Sequence, residues 1–446
     1  MIKKLGRAVI CALLAAVIGL LSPAEYINVY AFEESAEEFL YNGNIYYRIN
    51  EFGEIVITRS RASVTEAVIP AEIEGMPVTE IKNSAFQERT RLTKVVLPET
   101  VTKIGDYAFH QCVRLEEVFI PESVSKIGWN ILKGTPWLKN QPEGCVIVGN
   151  GIVIAYSGEV QQLVIPEGVR AIAGCAFENS GSLMSVSIPE SVSIIGGLAF
   201  SGCSKLTECT IPEGVREIGA YAFNWCSALQ KVYIADSVEI IGSHTFLGCK
   251  ALFDVKLPAN LKKIETSMFY GCISLTRLNV PVSVTEIGSQ AFMECISLGE
   301  ILLRRNVSAI GTDAFSGCSG LQKIIINNTD CKIADSENTI PVNAVIHGFA
   351  ESSAYGYAQK YQRRFFPANT VKGDINDDGA VDISDATMIM MIYAKRAAGI
   401  VGKVNSFDMA AGDMNGDYIL DTADASEILA HYAAGSAGIV GFECTE

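Results

Sequence analysis

Residues 92–114 read LTKVVLPETVTKIGDYAFHQCVR, and versions of this 23-residue stretch return along most of the chain. Its apolar residues alternate up to Leu97, which predicts a β-strand with one buried face. Pro98 ends the strand because proline has no N–H to donate to a continuing ladder. Gly105 permits a tight turn, and Phe109 opens a short helical or 3₁₀ turn that fills the interior. One unit cannot bury its apolar face alone, so we expect successive units to stack.

Several registers keep the period of 23 residues, as a repeat architecture requires. After a pair at Phe86 and Phe109, phenylalanine recurs without a slip at Phe177, Phe200, Phe223, Phe246, Phe269, Phe292 and Phe315. Proline recurs at Pro98, Pro121, Pro166, Pro189, Pro212, Pro258 and Pro281. The strand position recurs at Val64, Leu92, Leu115, Val160, Leu183, Leu206, Leu229, Leu252, Leu275, Leu298 and Leu321. The sequence therefore predicts a repeat solenoid with eleven parallel β-strands.

The two ends of this solenoid need caps, because an exposed sheet edge invites aggregation. Turn residues between short apolar runs predict an N-terminal cap of strands over 39–58. Helical spacing of apolar residues over 354–361 predicts a helix within a C-terminal cap at 327–366. The repeat breaks at about 135–158, where Asn150-Gly151 predicts a hairpin. We expect this insertion to project from one edge.

Seven of the thirteen cysteines lie three residues after a repeat phenylalanine, at Cys112, Cys203, Cys226, Cys249, Cys272, Cys295 and Cys318. In an exported protein such cysteines suggest a disulfide framework. Equivalent side chains of stacked coils point in parallel, however, and such a row has no natural pairing. Cysteine also behaves as a small apolar residue. We therefore expect a ladder of buried free thiols.

The repeat, written LxxVxIPxxVxxIGxxAFxxC, resembles the BspA-like leucine-rich repeats of bacterial surface proteins over roughly residues 35–366. The resemblance implies a leucine-rich-repeat domain, which we place at 32–366 after the N-terminal segment. It also implies an adhesive or binding surface and not a catalyst. No nucleophile-elbow or HExxH motif is present, and within the repeat region no carboxylate pair stands outside the 23-residue register. We expect no enzymatic activity.

The N-terminus is typical of a secretion signal. Basic residues within the first seven positions precede an apolar run from Ala8 to Leu21, which is too short to span a bilayer. Val29-Tyr30-Ala31 is a candidate cleavage site and Ala24 is the alternative. We expect residues 1–31 to be removed and the mature protein to be exported. The net charge of −15 disfavours nucleic acid as a partner.

A linker at 367–370 precedes two acidic loops of twelve residues. Five oxygen-bearing side chains stand at loop positions 1, 3, 5, 9 and 12, first as Asp374, Asn376, Asp378, Asp382 and Asp385. The same positions return 39 residues later as Asp413, Asn415, Asp417, Asp421 and Asp424. Calcium takes six to eight oxygen ligands, and a tight loop adds the backbone carbonyl at position 7. Those carbonyls belong to Ala380 and Ile419. The sequence therefore predicts two calcium sites.

The first loop has Gly379 at position 6, but the second has Tyr418 there. A non-glycine residue in a left-handed turn costs about 1–2 kcal/mol, so we expect the second site to be weaker. Apolar residues at helical spacing predict one helix after each loop, over 386–397 and 425–434. Of the three methionines in the first helix, we expect at least half to lie in a helix–helix core.

The duplicated loop-plus-helix pattern resembles a type I dockerin, with aspartate and not glutamate at position 12. The resemblance covers 371–434, and we assign 371–446 to this domain and a short tail. It implies a small all-α domain that folds around two Ca²⁺ ions and docks onto a cohesin module of a scaffolding protein, as in cellulosomes. Cohesin recognition would involve loop positions 10 and 11 and the first helix, here Ile383, Ser384, Thr422, Ala423, Lys395 and Arg396.

Together these patterns predict a non-catalytic secreted component of a bacterial polysaccharide-degrading complex. The dockerin would attach it to a scaffold outside the cell, and the solenoid would bind a protein or a glycan. Outward strand positions favour protein because aromatic residues are sparse among Val96, Phe119, Val164, Ser187, Thr210, Tyr233, Lys256, Asn279, Leu302 and Ile325. The alternatives are a polysaccharide-degrading enzyme with an unrecognised site, a surface adhesin or protease-binding module, or an ordinary sheet surface.

Overall fold

The computed structural model describes residues 38–367, 371–400, 404, 406–415, 417 and 419–436. The expected signal segment, Tyr418 and the tail after 436 lie outside this part, so those predictions stay open. The chain divides into two compact units, one comprising residues up to 126 with 131–138, and the other 127–130 with 139 onward. Each unit contains a stack of coils, and the second also contains a small helical module.

The first unit begins with three antiparallel strands, which confirms the N-terminal cap. Its strands are β1 Phe39–Tyr41, β2 Ile45–Ile49, β3 Ile55–Ser60, β4 Glu66–Val68, β5 Glu72–Ile73, β6 Met76–Ile81, β7 Lys94–Val96, β8 Lys103–Ile104 and β9 Glu117–Phe119, and β10 Lys126–Ile127 lies at the boundary. Strands β3, β6 and β8 pair in parallel, as do β4, β7 and β9.

The second unit opens with a hairpin and continues as parallel strands. Its strands are β11 Gly144–Val148, β12 Ile152–Ser157, β13 Gln162–Val164, β14 Ala171–Ile172, β15 Ser185–Ser187, β16 Ile194–Ile195, β17 Glu208–Ile211, β18 Glu217–Ile218, β19 Lys231–Ile234, β20 Ile240–Ile241, β21 Asp254–Lys256, β22 Lys263–Ile264, β23 Glu286–Ile287, β24 Glu300–Leu303, β25 Ala309–Ile310, β26 Lys323–Ile326, β27 Lys332–Ile333, β28 Val345–Gly348 and β29 Phe365–Pro367. Helix α1 Pro136–Lys139 lies where the chain passes from the first unit to the second, and the helices of the second unit are α2 Ser353–Lys360, α3 Ile383–Ala397, α4 Ser406–Gly412 and α5 Thr422–Ser436.

Each coil contributes to two parallel sheets, and the sequence predicted only one of them. The expected strands form the series β13-β15-β17-β19-β21 and β24-β26-β28-β29. Isoleucine–glycine pairs such as Ile195-Gly196 and Ile218-Gly219 recur between the proline and the phenylalanine of a repeat. At this position the coils form a second series of two-residue strands, β14-β16-β18-β20 and β22-β23-β25-β27. The coil that starts at Leu275 has no strand at the predicted position, although Leu278 and Val280 remain buried. The expectation of eleven strands in one sheet is therefore wrong in detail.

The turn around each repeat phenylalanine is not helical in the described coils, which corrects the predicted helical or 3₁₀ turn. In one coil, Tyr221 and Trp225 adopt φ values of 60° and 57° on either side of Phe223. The N–H groups of Phe223 and Trp225 donate to Thr245 and Leu247 of the next coil. Every second N–H group of the turn donates to the next coil. These groups are therefore not available for the hydrogen bonds of a helix.

The core of the second unit is a column of seven stacked phenylalanine rings, from Phe177 to Phe315. Neighbouring ring centroids lie between 5.1 and 5.8 Å apart, and all seven rings are buried. Offset stacking of this kind adds to the free energy of burying each ring. The column explains why the phenylalanine register never slips over these coils.

The seven repeat cysteines are buried free thiols, as predicted. Each thiol donates to the carbonyl oxygen of the phenylalanine in the preceding coil, as Cys249 does to Phe223 at 3.2 Å. Burial raises the pKa of Cys112 to about 11 and that of Cys318 to about 12. The ladder therefore satisfies backbone carbonyl groups inside the stack.

The prediction for the insertion needs correction, and the prediction for the linker stays open. The hairpin at 144–157 forms as expected, but it does not project, because β12 pairs with β14 and Val153 is buried in the core. Helix α2 confirms the predicted C-terminal cap. Strand β29 ends at Pro367, and the rest of the predicted linker, 368–370, lies outside the described residues. None of the helices in the described part of the chain is both long and apolar enough to cross a bilayer.

Candidate metal centre

Three helices hold the two acidic loops in place. The first loop leads into α3, and the second connects α4 to α5. Ile375 of the first loop and Leu420 of the second are fully buried between these helices, together with Phe407 of α4 and Ile389 of α3. Helix α4 was not predicted, since its short apolar run shows too few turns to reveal a helical period. The loops are thus anchored by apolar residues between their oxygen-bearing ones.

In the first loop, the side chains at positions 1, 3 and 5 turn inward onto backbone N–H groups. The N–H of Asp378 donates to Asp374 Oδ1 at 3.0 Å and to Asn376 Oδ1 at 2.8 Å. Gly379 N–H donates to Asp374 Oδ2 at 3.0 Å, and Ala380 N–H donates to Asp378 Oδ1 at 2.8 Å. The loop therefore brings these three side chains together around one turn of backbone.

The second loop repeats this arrangement at the offset of 39 residues. Asp417 N–H donates to Asp413 Oδ1 at 3.1 Å and to Asn415 Oδ1 at 2.9 Å. Ile419 N–H donates to Asp417 Oδ1 at 2.7 Å. The described residues of the second loop therefore make the same hydrogen bonds as their counterparts in the first.

Position 12 is buried in both loops. Asp385 accepts hydrogen bonds from Asn376 N–H at 3.1 Å and Asp382 N–H at 2.9 Å. Asp424 accepts the equivalent bonds from Asn415 and Asp421. Both position-12 side chains have no exposed surface, so each carboxyl group ties the start of a helix to its own loop.

Burial sets the electrostatics of the first loop. Desolvation raises the pKa of Asp374 to about 6, although the N–H groups of Gly379 and Asp378 oppose the shift. Desolvation likewise raises the pKa of Asp385. A buried carboxylate is costly unless it is paired or coordinates a cation, so this cluster favours binding of positive charge.

The donor set fits calcium, since it consists of carboxylate, amide and carbonyl oxygens. In the described residues, however, no three His, Cys, Asp or Glu side chains lie in an arrangement that could hold a metal ion. Their oxygens accept hydrogen bonds from loop N–H groups instead. Four of the expected ligands are not of these residue types. Asn376 and Asn415 would bind through amide oxygens, and Ala380 and Ile419 through backbone carbonyl oxygens. Calcium binding therefore stays a prediction.

The residues expected to recognise a partner are all exposed. Ile383 and Ser384 form the first turn of α3, and Thr422 and Ala423 form the first turn of α5. Both helices begin at loop position 10, three residues before the predicted start. At the N-terminus of α3, Asp382 accepts a hydrogen bond from Ser384 N–H in a capping box. Lys395 and Arg396 lie exposed at the end of the same helix.

The methionines of α3 differ from the prediction. Met388 packs against the core of the module, but Met390 and Met391 are 44% and 50% exposed. Fewer than half of the three therefore lie in the core. The buried positions of α3 and α5 are occupied instead by Ala386, Ile389, Ala425 and Ile428.

The sequence did not single out Asp377 or Asp408, although both are buried. Asp377 stands at position 4 of the first loop, with φ of 61°, and Asp408 lies in α4. Both contact the repeat coils, where the Pro register of the sequence is broken by Arg304. An open groove of about 410 Å³ lies beside this contact, lined by Lys256, Arg304 and Asp378 among others.

The outward strand positions of the second unit form a mixed surface. Val164 is 72% exposed, and Tyr233 is half-exposed with its hydroxyl donating to Asp254 at 2.7 Å. Lys256 and Asn279 are exposed, whereas Leu302 and Ile325 are only partly exposed. The predicted orientation of these positions is therefore confirmed, and no row of consecutive aromatic rings forms along them.

Parallel strands, stacked coils and a phenylalanine column define a leucine-rich-repeat protein, here with a small helical module after the last coil. Six copies of the BspA type leucine rich repeat region match residues 16–139, 154–250 and 216–337. The chain therefore belongs to the BspA-type leucine-rich-repeat family.

Several solved structures are similar to this chain. A leucine rich cell surface protein from Faecalibacterium prausnitzii is 26% identical over 68% of this chain and 97% of its own, with a TM-score of 0.29. A leucine-rich repeat protein from Bacteroides ovatus is 24% identical over 74% and 99%, with a TM-score of 0.34. The pneumococcal vaccine antigen PcpA is 17% identical over 74% and 98%, with a TM-score of 0.36. No curated protein matches the chain.

Proposed function

We propose that this protein is a secreted, non-catalytic component of a cohesin–dockerin complex of the cellulosome type. Its C-terminal module would be a calcium-binding dockerin, and its repeat domain would display a ligand-binding surface. The observation that carries the proposal is the duplication of the acidic loop. Two loops 39 residues apart make the same internal hydrogen bonds, and each leads into a helix at position 10.

Calcium would be held by the oxygens at loop positions 1, 3, 5, 7, 9 and 12. The cation would be the positively charged partner of the buried carboxylates, and its binding would stabilise the folded module. The loops hold Asp374 and Asp413 at position 1. They also place Asp385 and Asp424, at position 12, in the first turn of the helix that follows each loop. Metal binding and folding of the module are expected to be coupled.

An exposed apolar surface on α3 and α5 supports partner binding by the module. Ile383, Met390, Met391, Leu429 and Tyr432 are each between 41% and 54% exposed. Exposed apolar residues on one small module are typical of an interaction site. Basic residues at the end of α3 would add charge selectivity to a cohesin interface.

The repeat domain is proposed to bind a protein ligand outside the cell. Its outward strand positions mix aliphatic, polar and charged residues, whereas a glycan platform needs a run of aromatic rings. Membership of the leucine-rich-repeat family supports a binding surface in preference to a catalytic site. Polysaccharide degradation by the isolated repeat domain would contradict this part of the proposal.

The proposal is tested first by calcium titration of the full chain in a calorimeter. Asp374→Ala should lose one bound Ca²⁺ per chain and much of the helical circular dichroism of the module. Asp330→Ala removes an exposed acidic side chain from the repeat domain and is the matched control. Unchanged calcium affinity in Asp374→Ala would contradict the assignment of the loop.

Partner binding is tested by capture on an immobilised panel of cohesin modules. The full chain should bind at least one cohesin in calcium and none in excess chelator. Binding that survives the chelator, or no binding to any cohesin at saturating calcium, would contradict a dockerin role. In that case the repeat domain alone would have to account for attachment, as in a surface adhesin.

A further inference from the structure

The repeat coils bind the C-terminal module through a small set of polar residues, all within the second compact unit. Arg304 Nη1 donates to the carbonyl of Asp377 at 2.5 Å, and Arg305 N–H donates to Asp377 Oδ2 at 2.9 Å. Asn327 Nδ2 donates to both carboxylate oxygens of Asp377 at 3.0 Å. The guanidinium group of Arg305 also donates to the carbonyl of Ile375. The first loop is thus bound through its backbone and through its position-4 carboxylate.

A second set of contacts reaches α4 of the module. Arg305 forms an ion pair with Asp408 at 2.7 Å, and the two side chains are only 14% and 10% exposed. The guanidinium carbon lies 5.1 Å from the centre of the Phe407 ring. Phe407 meets Phe349 of the repeat domain edge to face at 5.4 Å. A partly buried ion pair is screened less than a surface pair. Arg305 therefore contributes strongly to the contact, since it forms this ion pair and also donates to Asp377 and Ile375.

The repeat sequence is altered at the positions that make the contact. Five coils of this unit carry proline directly after the strand, from Pro166 to Pro281. Arg304 and Asn327 occupy that position in two successive later coils. At the following position three early coils have glutamate, whereas the coil that contains Arg304 has Arg305. The module is acidic, with eleven acidic and four basic residues between 371 and 434. The altered repeat positions therefore place hydrogen-bond donors and positive charge where the acidic module lies.

We propose that Arg304, Arg305 and Asn327 form a latch that recognises the ordered first loop, so that cation binding by this loop and attachment of the module strengthen each other. The coupling rests on the calcium function proposed above. Asp377 presents its carboxylate to the latch from a left-handed position between two of the expected ligands, Asn376 and Asp378. Any loss of loop order would therefore separate the carboxylate from its two donors, Arg305 N–H and Asn327 Nδ2. By linkage, a latch that favours the ordered loop must raise its cation affinity by the same factor.

Only the first loop can engage such a latch through this position. The residue that corresponds to Asp377 in the second loop is Gly416, which has no carboxylate. The two loops therefore differ in role despite their shared hydrogen bonds. The latch would fix the module on the repeat domain by one loop and leave Thr422 and Ala423 of the other exposed.

The test is site-resolved hydrogen exchange on the full chain, read at the amide of residue 305. In calcium, Asp377→Ala should speed this exchange about tenfold or more, since a hydrogen bond to a charged acceptor is lost. Glu427→Ala removes an exposed acidic side chain of α5 and should leave the rate unchanged. Unchanged exchange at residue 305 in Asp377→Ala would overturn the latch.

A variant in the repeat domain guards against misfolding of the loop. Arg305→Ala leaves the module sequence intact and should speed exchange at residue 305 and at Asp378, whose N–H is hydrogen-bonded within the first loop. Arg277→Ala is the exposed control one coil earlier. Exchange at Ile324 and Ile389, which are fully buried in the two parts, reports whether each remains folded. If both cores stay protected and residue 305 does not respond, the latch is refuted.

Chelator separates the latch from the calcium function. Faster exchange at Ile428 of the module and at residue 305 together would support the coupling. Faster exchange at Ile428 with residue 305 unchanged would overturn the coupling and leave the calcium function in place. No response at either amide would overturn the calcium function and the coupling with it, whereas the direct contact is judged by Asp377→Ala and Arg305→Ala.

Discussion

Gly242 lies where one coil of the repeat domain touches the backbone of the coil before it. A Cβ atom at this position would lie 2.3 Å from the backbone nitrogen of Ala220 and 2.6 Å from its Cα. The Gly242 N–H also donates to the carbonyl of Ile218 at 2.8 Å, which holds the two coils at this separation. We therefore expect Gly242→Ala to destabilise the repeat domain.

The size of the effect follows from the distance that the coils would have to move. Ordinary contacts of a Cβ atom begin at 3.4 Å, so a methyl group would need about 1 Å of extra space. The obstacle is backbone, and the ring column fixes the spacing of the coils on the other side. Overpacking of a core costs about 1–3 kcal/mol, and we expect Gly242→Ala to reach the upper end, about 3 kcal/mol.

Gly356 offers a control of opposite sign. It lies inside α2, and a Cβ atom added there would meet nothing within 4 Å. Alanine is favoured over glycine in a helix interior by about 1 kcal/mol, so Gly356→Ala should stabilise the protein by that amount. The same chemical change is thus expected to act in opposite directions at the two sites.

Urea unfolding of the full chain, followed by far-ultraviolet circular dichroism, measures both variants. The midpoint should fall for Gly242→Ala and rise for Gly356→Ala relative to the unaltered protein. A loss below about 0.5 kcal/mol for Gly242→Ala, the range of ordinary surface changes, would show that the coils are not held at this distance. Stabilisation by Gly242→Ala would refute the close-approach argument altogether.

Two further predictions concern the interior of the repeat domain. Phe246→Ala should lower the free energy of unfolding by about 3–5 kcal/mol in the same urea assay, because it removes one ring from the stacked column. Phe253→Ala, at a half-exposed position outside the column, should change it by less than about 0.5 kcal/mol, and equal losses would argue against the column. The repeat thiols should react slowly with Ellman's reagent even at pH 9, because burial raises the pKa of Cys112 to about 11 and that of Cys318 to about 12. They should react completely in guanidinium, and rapid labelling of the native protein would show that the stack opens readily.

The repeat architecture was predictable because stacking imposes the same demand on every coil. Each phenylalanine must meet the ring above and below it, so the period is visible in the sequence as a strict spacing. The second sheet was missed because strands such as Ala171–Ile172 are too short to show alternation. The non-helical turns were missed because Tyr221 and Trp225 adopt left-handed backbone without being glycine.

The C-terminal module was predictable only where its own loops set the pattern. Positions 1 to 12 of each loop are local, and the helices that follow begin with them. The role of Asp377 depends on Arg305, which is more than seventy residues away, and no local spacing connects the two. The sequence signals this contact only through its altered repeat positions, with Arg304 and Asn327 in place of proline and Arg305 in place of glutamate.

The ring column has a consequence for how such a protein changes length during evolution. Because Phe200, Phe223 and Phe246 occupy equivalent places, removal of one whole period brings two rings together that already fit. A deletion of any other length would leave a ring facing a turn. Genes of this kind can therefore gain or lose whole repeats and so change the length of the stack. The C-terminal module would keep its contacts with the last repeats when this happens.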